Sequence, residues 1–269
     1  MEAVPAATSL GLVEEYAAAA DRFAVAVGWS QLHAPVPSCP AWTVRDVVVH
    51  LANVHAWAAT VVETGRRAEQ LNDQPRSNRP LSVREWYVAK AEDLYQVLRQ
   101  CPPHTPCWNF AFDDGVAAFW QRRQLHETTI HRIDLDEAAG RNSGVSPLVA
   151  ADGVDEVLSV MLHRMHRRGH PVLLDAPVQL TASDTGDSWL LSPGRRFGTG
   201  LSGVGAALVP APPTVERLGL SEARAASDRV EASAADLYRA LWHRRIARDL
   251  RVFGDEARVR VFLGSRLTP

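Results

Sequence analysis

One lysine, Lys90, and three cysteines, Cys39, Cys101 and Cys107, are all that this 269-residue chain has of two residue types that often carry chemistry. An odd, sparse set of thiols cannot build a disulfide framework in a chain of this length and fits a reducing cytoplasm. None of the three has an evident partner base in the sequence, so a nucleophile supplied by the chain is not expected from them. Net charge is also lacking: 29 basic residues face 31 acidic ones, for −2, and the arginines are spread over both halves. That removes any global electrostatic reason to expect nucleic acid as a partner. No apolar run reaches the roughly 20 residues that a membrane-spanning helix needs, so no membrane span is expected. The first residues carry Glu2, Glu14 and Glu15 and no basic segment before an apolar core, so no secretory signal is expected. What is present is ordinary for a globular chain: 46% hydrophobic and 22% charged residues, enough core for one large or two moderate domains.

The first half reads as helices. Leu12, Tyr16, Ala19, Ala20, Phe23 and Val27 recur at helical spacing. Pro35-Val36-Pro37-Ser38-Cys39-Pro40 then forms a stiff connector that cannot continue a helix. Thr43 and Asp46 have capping-box spacing and open a second helix that Gly65 ends. Ser82 with Glu85 predicts the start of a third, stopped by Cys101-Pro102-Pro103. A fourth is expected from about Val116 to Ala139 with Gly140 beyond it, and a fifth from Pro147 to Arg168, ended by Gly169. Short strand-like runs follow at 172–175, 178–182 and 188–191. The Gly- and Pro-rich stretch 192–213 could be a lid or a loose insertion, and the loose insertion is preferred. An Ala-rich helix over about Ser233 to Arg245 and two strand candidates around Gly254-Asp255 close the chain. The fold class expected is therefore α plus α+β: an antiparallel four-helix bundle in residues 1–169, followed by a small α+β domain in residues 170–269.

The chemistry concentrates in Gln124-Leu125-His126-Glu127-Thr128-Thr129-Ile130-His131-Arg132. Glu127 and His131 are four apart and lie one above the other on one helix face. A carboxylate and an imidazole so placed are two ligands for a borderline metal such as zinc, and His50 in the second helix can supply a third. Three protein ligands with one position left open is the usual holding of a catalytic zinc. His126 and His131 are five apart, about 140° around a helix, so His126 is at most an outer group and the zincin pattern is not met. His55, five beyond His50, points elsewhere for the same reason. Gly198-Thr199-Gly200-Leu201-Ser202-Gly203 matches the dinucleotide glycine pattern in letters but follows no convincing strand and opens no helix. Cys101, His104 and Cys107 have ligand-like spacing in a proline-marked loop without a fourth ligand.

The segment from Val36-Pro37-Ser38-Cys39-Pro40-Ala41-Trp42-Thr43-Val44-Arg45-Asp46 to His50-Leu51 resembles the opening of the mycothiol-dependent maleylpyruvate isomerase family, within the DinB-like group of four-helix metalloproteins. The family's "V-P-x-C-P-x-W-T-V-x-D-L-x-x-H-L" is matched nearly throughout, with Ala41 where Gly is common. The second block, Arg122-Arg123 through His126-Glu127 and His131-Arg132-Ile133-Asp134, resembles the family's "H-E-x-x-x-H-R-x-D". The stretch Ala234 to Arg245, with Val252-Phe253-Gly254-Asp255, is similar to its small sterol-carrier-like C-terminal domain. The resemblance implies zinc, or another divalent metal, on His50, Glu127 and His131, with mycothiol as thiol cosubstrate. It also implies a catalytic arginine at Arg244 for an anionic substrate or thiol, preceded here by His243 where a small residue is usual.

The expected function is a thiol transferase or isomerase. A thiol in the open metal position loses its proton, and its sulfur attacks an electrophilic small molecule. In an isomerisation the sulfur adds to a conjugated alkene, the bond that is now single rotates, and elimination returns the trans alkene. His126 or Asp134 would orient the ligands. The same donor set also suits a hydrolase that activates water, and the bundle suits a non-enzymatic ligand-binding or regulatory protein.

Overall fold

The computed structural model describes residues 10–142, 144–198, 207–218, 226–244 and 250–269. It is a helical N-terminal region followed by a mixed-sheet region, in two compact units that meet between Gly144 and Val145. This division lies earlier than the boundary near residue 170 expected from the sequence. The fifth helix, α5 (Pro147–Glu156), packs on an element of the second unit, α7 (Ala234–Leu241), and so goes with it.

The first unit is a four-helix bundle of α1 (Leu12–Trp29), α2 (Val44–Thr64), α3 (Pro80–Gln100) and α4 (Ala118–Ala138). α1 packs on α3 and α4, and α2 packs on the same two. The shared seam buries Tyr16, Phe23, Leu51, Tyr87, Leu94, Leu98, Trp120, Leu125 and Ile130, large apolar surfaces whose removal from water drives the assembly. The connector between α1 and α2 folds into a small hairpin, β1 (Pro35–Val36) with β2 (Cys39–Thr43), which runs directly into α2.

The expected helix signals act at most of the ends. The Thr43 side chain accepts from the Asp46 backbone N–H while the Asp46 carboxylate accepts from the Thr43 N–H at 2.8 Å, a complete capping box. Gly65 and Gly140 take φ of +66° beyond α2 and α4, where a side chain would be strained. α3 differs: its N-cap is Arg79, three residues earlier than the expected Ser82, with Pro80 in its first turn. A proline there has no N–H to leave unsatisfied and its ring presets φ, so Ser82 and Glu85 fall inside the helix.

The second unit opens with α5, whose axis continues through a π-helical turn at Val157–Met161 into α6 (Leu162–Arg167). The single fifth helix expected from the sequence is therefore interrupted by wider hydrogen-bonded turns. The sheet has the order β5-β4-β3-β6-β7, formed by β3 (Val178–Ala182), β4 (Ser188–Gly198), β5 (Ala207–Leu218), β6 (Asp228–Ala232) and β7 (Arg251–Phe253). β3 and β6 are parallel and the other pairs antiparallel. α7 packs on β3, and α8 (Glu256–Leu263) packs on β6 and β7.

Three expectations are corrected here. Residues 172–175 lie in no strand. The stretch 192–213 is largely a long β4–β5 hairpin, paired from Ser188 with Leu218 to Gly198 with Ala207 and bulged between Ser192 and Gly194. Its prolines, Pro210, Pro212 and Pro213, lie on edge strand β5, where a missing N–H need not cost a ladder bond, and Gly194 admits the close approach of the Pro212 backbone. Beyond Gly254 the chain enters α8 rather than a strand, because the Asp255 side chain caps the Arg258 N–H at 3.0 Å. The glycine pattern at 198–203 lies, past Gly198, outside the described residues. Among the described residues no helix is long and apolar enough to cross a membrane.

Candidate metal centre

Two elements carry the site. The capping box fixes where α2 begins, and His50 follows about two turns in, half-buried on the side facing α4. α4 is unusual in burying polar residues on all sides, among them Gln121, Arg123, Gln124, Thr128, His131, Asp134 and Asp136. Such a helix is stable only if those groups find partners inside the protein. Arg132 donates to Asp136 at 2.8 Å, and Thr128 donates to the Gln124 carbonyl at 2.7 Å.

Along α4, Arg123, Glu127 and His131 fall at intervals of four and Asp134 three beyond, so they line one face. His50 and His131 both bring Nε2 to the same carboxylate oxygen: His50 Nε2 lies 3.2 Å and His131 Nε2 3.3 Å from Glu127 Oε1. The three ligand atoms lie within 4.8 Å of one another, the one such group of His, Cys, Asp and Glu side chains found among the described residues. The spacing bears on metal binding directly. Ligands about 2.05 Å from a tetrahedral zinc are separated by roughly 3.3 Å, the separation seen for both imidazoles from Glu127. The donor set, two imidazoles and a carboxylate, is one that zinc accepts with a further position free. These residues fit the ion.

The groups around the ligands reinforce the arrangement. His131 Nδ1 lies 2.8 Å from Asp134 Oδ2, and Ser38, from the β1–β2 turn, donates to Asp134 Oδ1 at 2.6 Å. A proton held at Nδ1 by a buried carboxylate leaves Nε2 as the donor toward the site. Arg123 donates from Nη2 to Glu127 Oε2 at 3.0 Å. The Trp42 ring stacks on His131 at 6.3 Å between centroids and lies 4.9 Å from the His50 ring. Beside His50 an open cleft of about 450 Å³ is lined by Trp42, Arg45, Asn53, Leu71 and Gln74.

The proton affinities follow from these contacts. Burial pushes the Glu127 carboxyl up, but bonds from His131 and His50 and the charge of Arg123 outweigh it and hold the group well below the usual carboxylate range. Burial pushes His131 down, and its bonds to Asp134 and Glu127 outweigh that in turn, taking it up to about 9. Without a metal the centre is thus a carboxylate against an imidazolium.

The other histidines lie outside the group. His126 is fully buried but is not one of the three converging residues. His55 is buried in the bundle core, its Nδ1 2.9 Å from Gln124 Oε1, and burial takes it down to about 4. Cys101, His104 and Cys107 form no cluster, and Cys107 is buried with its thiol pushed up to about 11, chiefly by burial.

Arg244 lies in the second unit. α7 ends in a Schellman motif: the His243 N–H bonds the Ala240 carbonyl at 3.0 Å and the Arg244 N–H bonds the Arg239 carbonyl at 2.8 Å. The motif needs a left-handed residue, and His243 takes it with φ of +57°. A small residue such as glycine adopts that conformation without strain, which is a physical reason for one to stand there. The Arg244 guanidinium donates to the Trp242 carbonyl at 2.8 Å.

Sequence reasoning did not assign roles to Arg123, Ser38 or Trp42. Arg123 was accessible through its spacing of four from Glu127. Ser38 carried no signal, since its contact with Asp134 crosses 96 residues of sequence.

Residues 13–136 match the family described as the mycothiol maleylpyruvate isomerase N-terminal domain, a stretch that contains all three converging residues. No curated protein matches the chain. Among solved structures, a histidine-to-alanine mutant of mycothiol-dependent maleylpyruvate isomerase is similar in fold: TM-score 0.52, 11% identity, over 85% of this chain and 86% of that one. The family match ends at residue 136, so the likeness of the second half to that enzyme is one of fold alone.

Proposed function

We propose that the protein is a zinc-dependent thiol transferase or isomerase, with mycothiol as the thiol and a small electrophilic molecule as the substrate. The observation that carries this reading is the convergence of His50 Nε2, Glu127 Oε1 and His131 Nε2 at ligand spacing, with an open cleft beside His50. When bound, zinc supplies Lewis acidity and makes a thiol or water in its open position far more acidic. His50, Glu127 and His131 hold the ion, and one negative ligand leaves the centre cationic enough to favour an anionic sulfur. Asp134 and Ser38 hold the His131 ring in the tautomer that offers Nε2. Trp42 packs against both imidazoles, tilted on His50 and stacked on His131. Arg244 supplies a positive charge for an anionic group of the substrate or thiol.

The first test is elemental analysis of the wild type and of His50→Ala, Glu127→Ala and His131→Ala. The expected result is about one zinc per chain in the wild type, lost in all three variants while circular dichroism stays helical. Turnover of a conjugated electrophile that requires added mycothiol then supports the transferase or isomerase reading, and turnover without thiol points to a hydrolase. A wild type that takes up no zinc after loading and removal of excess overturns the metal-dependent reading.

A further inference from the structure

The two oxygens of Glu127 have different surroundings. Oε1 faces both imidazoles, at 3.2 and 3.3 Å, whereas Oε2 accepts from Arg123 Nη2 at 3.0 Å. We propose that Arg123 is a positioning residue that fixes Glu127 as a one-oxygen ligand and thereby keeps a coordination position open for an incoming thiol or water. The inference rests on the metal-dependent reading above and concerns what the chain adds to it.

A carboxylate beside a cation is free to bind through one oxygen or through both, and the second mode uses a position that a substrate would otherwise take. Four features oppose the second mode here. A charge-assisted bond from the guanidinium occupies Oε2, and such bonds are shorter and stronger than those between neutral groups. The positive charge of Arg123 lies on the Oε2 side and repels a dication that approaches it, with little solvent to screen the repulsion. Arg123 is only 2% exposed and sits one turn before Glu127 on the same helix, so it cannot swing into water as a surface arginine would. The planar guanidinium also presents its N–H groups in fixed directions, which a lysine ammonium on a flexible stem does not.

A buried arginine that merely balances the charge of Glu127 would matter for folding and not for coordination. Cobalt(II) separates the two roles, because its visible absorption is intense when four-coordinate and weak when five- or six-coordinate. Wild type, Arg123→Met and Arg123→Lys are loaded with cobalt, checked for helicity, and titrated with 2-mercaptoethanol while the thiolate-to-cobalt charge-transfer band is followed. The wild type is expected to show the intense visible band and to take up the thiol. In both variants the visible band should weaken and the thiol bind at least about tenfold less tightly, in the range that outer-sphere changes cost metal sites. Folded variants that bind one cobalt with the wild-type spectrum and wild-type thiol affinity overturn the proposal and leave the metal-dependent reading standing. If Arg123→Met does not fold, Arg123→Lys, which keeps the charge, decides by the same two readings. A wild type that binds neither cobalt nor zinc overturns both.

Discussion

A carboxylate shared by two imidazoles and a guanidinium is an arrangement in which each proton affinity is set by the neighbours. Because His131 is taken up to about 9, the metal-free centre holds a proton on that imidazole at neutral pH. Asp134 keeps the Nδ1 proton, so the one that must leave when a metal binds is the proton on Nε2. Proton and metal then compete for one lone pair, and affinity rises with pH until the imidazole is neutral in the metal-free protein. Zinc affinity, measured by competition with a chromophoric chelator, should climb about tenfold per unit between roughly pH 6 and pH 8. A flat profile would show that the Nε2 proton is not the one displaced. At this scale the sequence was informative about Glu127 and His131, since a spacing of four places them on one helix face. It was uninformative about Ser38, whose bond to Asp134 forms only when the β1–β2 turn closes on α4.

Helix ends decide where side chains point. Thr43 and Asp46 cap each other through three hydrogen bonds, and this box sets the start of α2 and hence the face on which His50 falls. Thr43→Ala removes the hydroxyl and should lower the unfolding free energy by about 1 kcal/mol, read from urea unfolding. An unchanged midpoint would show that packing of α2 on α3 and α4, and not the cap, holds the helix start. The elements legible in the sequence were those whose limits rest on local chemistry: the α2 cap, and the glycines after α2 and α4. Less legible were those where a neighbouring proline or a partner strand overrides the local letters. Ser82 and Glu85 have the letters of a cap, yet Pro80 lies in the first turn of α3. Residues 192–213 have the composition of a loose loop, yet β4 supplies hydrogen-bonding partners for β5 and the edge position tolerates its prolines.

At the scale of the whole molecule, all three proposed ligands lie in the first unit, with Arg123, Asp134, Ser38 and Trp42, while Arg244 lies in the second. Residues 1–144 expressed alone should therefore bind about one zinc per chain, as the full chain is expected to do, but lose thiol-dependent turnover if Arg244 has the role proposed for it. Metal binding that requires the full chain would mean that the second unit helps to form the centre. The sequence by itself determined the helical first half, the α+β second half and the sharing of one helix face by Glu127 and His131. The reason is that helical periodicity, capping chemistry and the spacing of four act within a turn or two of chain. Only the tertiary structure decided that His50, 77 residues from Glu127, comes to the same carboxylate oxygen as His131, and that the other oxygen goes to Arg123. It also moved the division between the units to Gly144, because α5 buries its apolar face against α7. Those outcomes depend on which faces are removed from water together, and that is settled by the packing of whole elements.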